Sequence, residues 1–311
     1  MNMKKIFTTT PVGSNDEADR VEGEAIIHNY YRYLMDESKL EGTANILYFP
    51  KNELHIANFL EEMNVKRIPV TISGGRTGIV GGAVPSGGAI LTLEKMNRIT
   101  GLRKEEDVWI IRVQPGMTLK EFRDAIEDGK IENYLSKSFS DWKVLKIFLT
   151  EYRDYFYPPD PTEETATIGG TVATDASGAR SYKYGSTRKY VKRLRIVLAD
   201  GSVLDVERGI YRFNPLIDLK LITGDHYNKE LNIEDLRIKG VKNVAGYFIE
   251  KGMDLIDLFI GSEGTLGVIS EVELQLERRP GKFASLLTFL HSEEDAISFS
   301  LHLSRHDNII S

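Results

Sequence analysis

Cysteine is absent from all 311 residues, which excludes disulfides, thiolate metal sites and a cysteine nucleophile. Long apolar runs are absent too, so no membrane span is read. The opening residues MNMKKIFTTTPVGSNDEADR carry lysines like those of an export signal, but no apolar core of about 7 or more residues follows. Basic residues are not in excess. Lys and Arg number 40 against 46 Asp and Glu, and the signs are interspersed at a formal charge of −6, which excludes the basic stripe of a nucleic-acid binder. With 41% apolar and 28% charged residues, the composition is that of an ordinary globular chain, long enough for one large domain or two. The expected location is cytoplasmic, with attachment at the membrane periphery left open.

What the sequence does have is glycine, concentrated in three places. Pro159 to Gly185 reads PDPTEETATIGGTVATDASGARSYKYG, where Gly169, Gly170, Gly178 and Gly185 alternate with Thr, Ser and Ala. Ile72 to Gly88 (ISGGRTGIVGGAVPSGG) and Phe259 to Ser270 (FIGSEGTLGVIS) are similar, and each is joined to an apolar, strand-like run. Such stretches bare the backbone, so that main-chain N–H groups can meet something large, flat or anionic. Some of these glycines, about a third, are expected to serve tight turns alone.

Elsewhere the pattern alternates between strand and helix. Ala25, Ile26, Tyr30, Tyr33 and Leu34 have helical spacing, which predicts an amphipathic helix over Asp16 to Glu37. Ile46 to Pro50 and Arg67 to Ser73 read as strands around a helix from Glu53 to Met63. Ala89 to Ile99 and Asp107 to Gly116 are further strand candidates, separated by a charged turn, and Thr118 to Gly129 reads as a helix. Lys130 to Phe156 is rich enough in aromatic and Leu residues to fold, but has no assigned role. Tyr190 to Glu207 reads as a hairpin turning at Asp200-Gly201. Phe213 to Lys239 is a mixed excursion, and beyond Pro280-Gly281 lie one strand, ASLLTFL, and one helix, EEDAISFSLHLSRH.

Three ligand readings compete for the glycines. A Walker loop is missing, since no Gly-x4-Gly-Lys-Ser/Thr occurs. A Rossmann fingerprint fails on spacing: Gly75, Gly78 and Gly81, like Gly261, Gly264 and Gly267, recur every third residue and lead towards strands. A flavin dinucleotide fits better, because its pyrophosphate carries two negative charges and its ring is broad and flat, so it needs a nest of N–H donors and a long backbone-lined slot.

Taken in order, ISGGRTGIVGGAVP, VQPG, PPDPT, ATIGGTVATDASG, YGSTRKYV, VLADG, KNVAGY and FIGSEGTLGVISE resemble the FAD-binding domain of the vanillyl-alcohol oxidase superfamily. The resemblance is to the branch of glycolate oxidase flavoprotein subunits and D-lactate or D-2-hydroxyglutarate dehydrogenases, over about residues 45 to 280. It implies an α+β protein: a PCMH-type FAD-binding fold of two α/β subdomains, followed by the beginning of an incomplete cap domain. The implied division is an N-terminal helical segment (1–44), the FAD-binding domain (45–280) and the start of a cap (281–311).

By the same resemblance, Gly74, Gly75, Arg76, Thr77 and Gly78 wrap the pyrophosphate. Pro115, Gly116, Pro159, Asp160, Thr162, Ile168, Gly169, Gly170, Ala173, Thr174, Ser177 and Gly178 line the flavin slot, and Glu263, Gly264, Gly267, Val268 and Ile269 close it at the adenine and ribose end. Arg76 stands where covalently flavinylated relatives often have His, and cysteine is absent, so FAD is expected to be held non-covalently. Thr171 and Asp175 stand where the branch commonly has Asn, and Asp175 is expected to point away from the ring. Lys189 replaces a usual Asp, and Lys130 to Phe156 looks expanded. Arg76, Lys183 and Lys242 are candidates for contacts to a carboxylate or to a pole of the flavin. His302 and His306 are spaced as metal ligands could be on a helix but are expected to form a solvated face, so no metal is assigned.

The function implied is FAD-dependent oxidation of a small 2-hydroxy acid by hydride transfer to flavin N5, with electrons passing to a quinone, a cytochrome or an electron-transfer protein. No catalytic residue is named. The alternative is a non-catalytic FAD-binding or electron-transfer module completed by a partner chain. Association into a homo-oligomer is also expected, because ASLLTFL would present an unpaired edge.

Overall fold

The computed structural model describes residues 8–9, 11–14, 16–212, 243, 246–250, 252–282, 284–306 and 309. Its first elements are β1 (Thr8–Thr9), β2 (Asp19–Glu22), α1 (Ala25–Asn29), β3 (Ile46–Phe49), α2 (Glu53–Lys66), β4 (Val70–Ser73) and β5 (Ala89–Thr92). Then come β6 (Ile99–Glu105), β7 (Val108–Val113), α3 (Leu119–Glu127), α4 (Trp142–Glu151), β8 (Tyr155–Phe156), α5 (Ile168–Ala173) and α6 (Ser181–Tyr184). The last are β9 (Val191–Val197), β10 (Val203–Glu207), α7 (Leu255–Phe259), β11 (Val268–Gln275), β12 (Glu277–Arg278) and α8 (Glu293–Leu303).

Two sheets carry the molecule. The smaller has the order β2-β3-β5-β4, with β3, β5 and β4 parallel and β2 antiparallel at the edge. The larger, β1-β10-β9-β11-β7-β6, is antiparallel throughout. Helix α2 lies between them, because its apolar stripe of Ile56, Phe59, Leu60 and Met63 packs in one cluster with Ala89 and Leu91 of the small sheet and with Val197, Val203 and Val268 of the large one. Asn52 caps the helix by accepting from His55 N at 2.9 Å. Arg67 ends it in the left-handed region.

At the start of α2, buried Glu53 ties the helix and the N-terminal segment to the large sheet. Its carboxylate accepts from Arg195 Nη2 at 2.7 Å, from Ser270 Oγ at 2.5 Å and from Val12 N at 2.9 Å. The far side of the large sheet carries the main core, with Trp109, Phe122, Phe148, Tyr157 and Tyr190 under α3, α4 and α5. A capping box formed by Thr118 and Glu121 fixes the start of α3. The architecture is thus α+β, with two α/β subdomains.

Several local expectations change. No helix spans Asp16 to Glu37: Asp19–Glu22 instead pairs with β3, Gly23 turns the chain at φ 66, and only Ala25–Asn29 is α-helical. The apolar spacing still does its work, since Ile26, Tyr33 and Leu34 are buried on Leu47, Phe49 and Ile90. Ile99–Glu105 is a strand the alternation did not reveal, because Gly101 and three charges interrupt it; it pairs with β7 around the expected charged turn. The hairpin of β9 and β10 turns through three residues, with Gly201 N donating to Leu198 O at 2.9 Å and Gly201 at φ 79. Lys130 to Phe156 contains α4 and packs on the core through Phe139, Leu145 and Phe148.

ASLLTFL forms no ladder among the described residues, and Leu286 and Phe289 are 90% and 86% exposed; a run with no neighbouring strand has no sheet face to bury. Phe213 to Lys239 lies outside the described residues, as does Lys242. No helix among the described residues is long and apolar enough to cross a membrane.

Candidate functional site

Parallel strands send the loops that follow them to the same sheet edge, which makes that edge a natural place for a ligand. The loop after β4, residues 74–83, leaves this edge. Among the described residues, no main-chain N–H from Gly75 to Gly82 donates to another group. The segment before β3 braces the loop from outside: Glu37 N donates to Arg76 O at 3.1 Å and Thr43 N to Pro85 O at 3.0 Å. Buried Asp36 accepts from Ser38 N at 2.9 Å and from Ala83 N at 3.5 Å.

The second stretch sits across from this loop and touches it. A Cβ on Gly74 would meet Thr167 Oγ1 at 2.6 Å, and one on Gly75 would meet Thr165 O at 2.7 Å, so only bare backbone allows this approach. Thr167 caps α5 by accepting from Gly170 N at 3.3 Å, and Gly169 N donates to Pro115 O at 2.8 Å. The third stretch is stitched to α5 by Gly261 N donating to Val172 O at 3.0 Å and Glu263 N to Ala173 O at 2.8 Å. Three glycine-rich segments, distant in sequence, thus close one cavity of about 490 Å³ between the two sheets.

Of the residues expected to hold FAD, the cavity wall contains Gly74, Gly75, Arg76, Thr77, Gly78, Thr162, Gly169, Gly170, Ala173, Thr174, Glu263, Gly264, Gly267 and Ile269. It does not contain Pro115, Gly116, Pro159, Asp160, Ile168, Ser177, Gly178 or Val268. Most of these stand behind the wall. Pro115 supports Gly169, Pro159 O accepts from Arg123 Nη2 at 2.8 Å, and Ile168 and Val268 are buried in the core. Gly116 and Gly178 are pressed against backbone, where an added Cβ would meet Leu93 O at 1.9 Å and Asp160 O at 1.8 Å.

The wall also contains Thr171, noted above for standing in place of Asn, and residues the sequence did not single out: Asp36, Ile72, Ile79, Val80, Gly82, Ala83, Leu93, Pro161, Glu163, Ala166, Thr167, Ala176 and Ser262. Ile79, Val80, Gly82 and Ala83 follow directly on Gly78, so simple continuation of the loop could have found them. No periodicity could have found Asp36.

Asp175 turns from the cavity, as expected. Its carboxylate accepts from Arg188 N at 2.9 Å and Arg188 Nε at 3.2 Å, and Arg188 in turn reaches Asp257. Lys183 lies 6.0 Å from the centre of the Tyr184 ring and Lys189 pairs with Glu277, both away from the wall. His302 and His306 place their rings 5.2 Å apart, and no group of three metal-ligating side chains occurs among the described residues.

The apolar wall formed by Ile72, Leu93 and Ile269, together with the open N–H run of 75–82, suits a flat ring joined to an anion. The FAD binding domain family matches residues 44–142 and 138–207. The chain belongs to this family. FAD is its cofactor, and the residues present fit it. Among curated relatives, this FAD-binding chain is 32% identical to a D-lactate dehydrogenase of Anaerostipes hadrus over 85% of its own length and 43% of the relative's. It is 30% identical to the glycolate oxidase subunit GlcD of Bacillus subtilis over 79% of its length and 40% of that protein. It therefore spans less than half of the curated relatives it matches. The solved structure of an alkyldihydroxyacetonephosphate synthase shares the fold, with a TM-score of 0.53 at 16% identity, covering 90% of this chain and 49% of the other.

Proposed function

We propose that the chain is the FAD-binding part of an oxidoreductase acting on a small 2-hydroxy acid of the glycolate, D-lactate or D-2-hydroxyglutarate type, with electrons leaving to a quinone, a cytochrome or an electron-transfer protein. The observation that carries this reading is the convergence of three bare-backbone segments on one cavity, in a chain whose relatives are named for such acids. FAD supplies a hydride acceptor at N5 of its ring.

The chain's own residues bind and orient. The N–H groups of 75–82 would receive the pyrophosphate, Ile72, Leu93 and Ile269 would keep water from the ring, and Gly169, Gly170, Gly264 and Gly267 would admit the cofactor to contact distance. The chain has no Cys, and among the described residues the wall contains no His to bond a flavin, which supports FAD held non-covalently.

Among the described residues, the wall contains no His, Lys or Tyr that could take the hydroxyl proton of a substrate. That observation favours a second reading, in which the chain is an FAD-binding or electron-transfer module that a partner chain completes. One experiment separates the two. Purified protein should show flavin bands between roughly 350 and 500 nm and release FAD on acid precipitation. Bleaching of those bands by glycolate, D-lactate or D-2-hydroxyglutarate supports the oxidoreductase; bound flavin inert to all three supports the module.

A further inference from the structure

Among the ionisable residues of the cavity wall, Arg76 is a cation in the company of three acids, Asp36, Glu163 and Glu263. A wall with that balance opposes a dianionic pyrophosphate unless positive charge is placed where the phosphates lie. Arg76 stands within the N–H run that has no acceptor among the described residues.

The Arg76 guanidinium is fixed but has no counter-ion among the described residues. It lies over the Tyr33 ring, 4.5 Å from its centre, and Nη1 donates to Gly74 O at 3.2 Å and Ser73 Oγ at 3.4 Å. Among the described residues it forms no ion pair. Glu94 is engaged elsewhere, accepting the Tyr33 hydroxyl at 2.8 Å, while Arg32 donates to the same hydroxyl at 2.9 Å. Burial pushes Arg76 below the ordinary guanidinium range, against the pull of Tyr33 and Glu94. A guanidinium stays charged even so, and a partly desolvated cation without a partner is a site prepared for an anion.

The backbone adds a second observation. Arg76 has φ 59, in the left-handed region where glycine would be comfortable and any side chain is disfavoured. Its neighbours Gly74, Gly75 and Gly78 leave the loop bare, yet this position carries a long cationic side chain at a conformational penalty.

We propose that the Arg76 side chain is the counter-charge for the FAD pyrophosphate, adding a fixed cation to the main-chain donors of its own loop. The inference rests on FAD occupying this cavity. Because the oxidised flavin ring is neutral, the charge of Arg76 acts on the binding of oxidised FAD through the phosphates.

The test uses the full chain stripped of flavin, with dissociation constants for oxidised FAD and riboflavin measured at several salt concentrations. Arg76→Gly removes the cation and relieves the left-handed backbone, but it also deletes the bonds to Gly74 O and Ser73 Oγ, so the salt response and the riboflavin comparison, rather than the loss of affinity alone, assign the effect to charge; thermal melting checks that the variant is folded. Arg76→Lys keeps the charge. FAD affinity should fall by about ten-fold or more in Arg76→Gly and by much less in Arg76→Lys. The wild type and Arg76→Lys should lose FAD affinity as salt rises, while Arg76→Gly should respond less. Riboflavin, which lacks the pyrophosphate, should not distinguish wild type from Arg76→Gly.

Equal FAD affinity and equal salt response in wild type and Arg76→Gly would overturn the inference and leave FAD binding intact. So would a loss shared equally by FAD and riboflavin. Failure of the wild type to bind FAD would overturn the cofactor assignment, and this inference with it.

Discussion

In the loop after β4, a Cβ added at Gly78 or Gly82 would meet nothing within 4 Å; in the central stretch, one at Gly169 would meet Pro115 Cβ at 2.6 Å and one at Gly178 would meet Asp160 O at 1.8 Å. Both segments are glycine-rich and both belong to the same site, but their glycines do opposite things. Gly78 and Gly82 of the loop leave space for a ligand, whereas Gly74 and Gly75 at its start pack against Thr167 and Thr165. Those of the central stretch let protein backbone approach protein backbone, so that α5 can sit on Pro115 and the turn at 178 can sit on Asp160. Glycine content marks both; only the direction in which the missing Cβ would have pointed separates a cradle from its mounting.

The largest expected effect is on the mounting. Gly178→Ala places a methyl group inside the van der Waals radius of a carbonyl and should destabilise the fold by about 4 kcal/mol or more, read as a drop in the denaturation midpoint. Gly78→Ala and Gly82→Ala, which add a methyl group to open space at backbone angles other residues tolerate, should leave stability within about 0.5 kcal/mol while weakening FAD in a titration. Equal stability losses in the two regions would erase the distinction.

Next in size is the support behind α5. Asp175 is 3% exposed, sits at φ 46 and holds both the main chain and the guanidinium of Arg188. Asp175→Ala leaves Arg188 short of a buried partner and puts alanine in the left-handed region, for a loss of about 3 kcal/mol. Asp175→Asn keeps an acceptor and a residue type that tolerates this backbone, so chemical denaturation should show a smaller loss, about 1 kcal/mol.

The smallest effect sharpens the contrast between site and scaffold through pH. Burial alone would raise the Glu273 carboxyl, but hydrogen bonds from Arg103 and Arg112 outweigh it and hold the group below its ordinary 4.5. The resulting stability is fully present above about pH 4.5 and is lost as pH falls through the lower folded-state value. Glu273→Gln should therefore remove about 2 kcal/mol at pH 7, and its deficit against wild type should shrink when melts are repeated below pH 4.5. FAD affinity at pH 7 should not change, because Glu273 is not on the cavity wall.

Much of this site was legible in the sequence because small residues in a fixed order are a local signal that survives without coordinates. The loops after β4 and before β11, and the stretch around α5, were found in that way. Failures occurred where a long-range partner overrode local spacing. Residues 19–22 became a strand because β3 offers them an edge, although the apolar positions downstream have helical spacing. Ile99–Glu105 was missed because Arg103 and Glu105 face the charged side of the large sheet, where no alternation with apolar residues is needed. Pro115, Gly116, Ile168 and Gly178 were read as ligand contacts because a motif records that a residue matters and not which way it faces. Asp36 and the lack of a counter-ion for Arg76 depend on how the N-terminal segment folds back over the loop, which no spacing encodes.

Amide hydrogen exchange of the flavin-free chain, repeated after adding FAD, tests the central claim most directly. The amides of Gly75 to Gly82 have no acceptor among the described residues and should exchange fast without cofactor, then slow together when FAD binds. Saturation with FAD that leaves those amides unprotected, with slowing confined to another part of the molecule, would contradict the account.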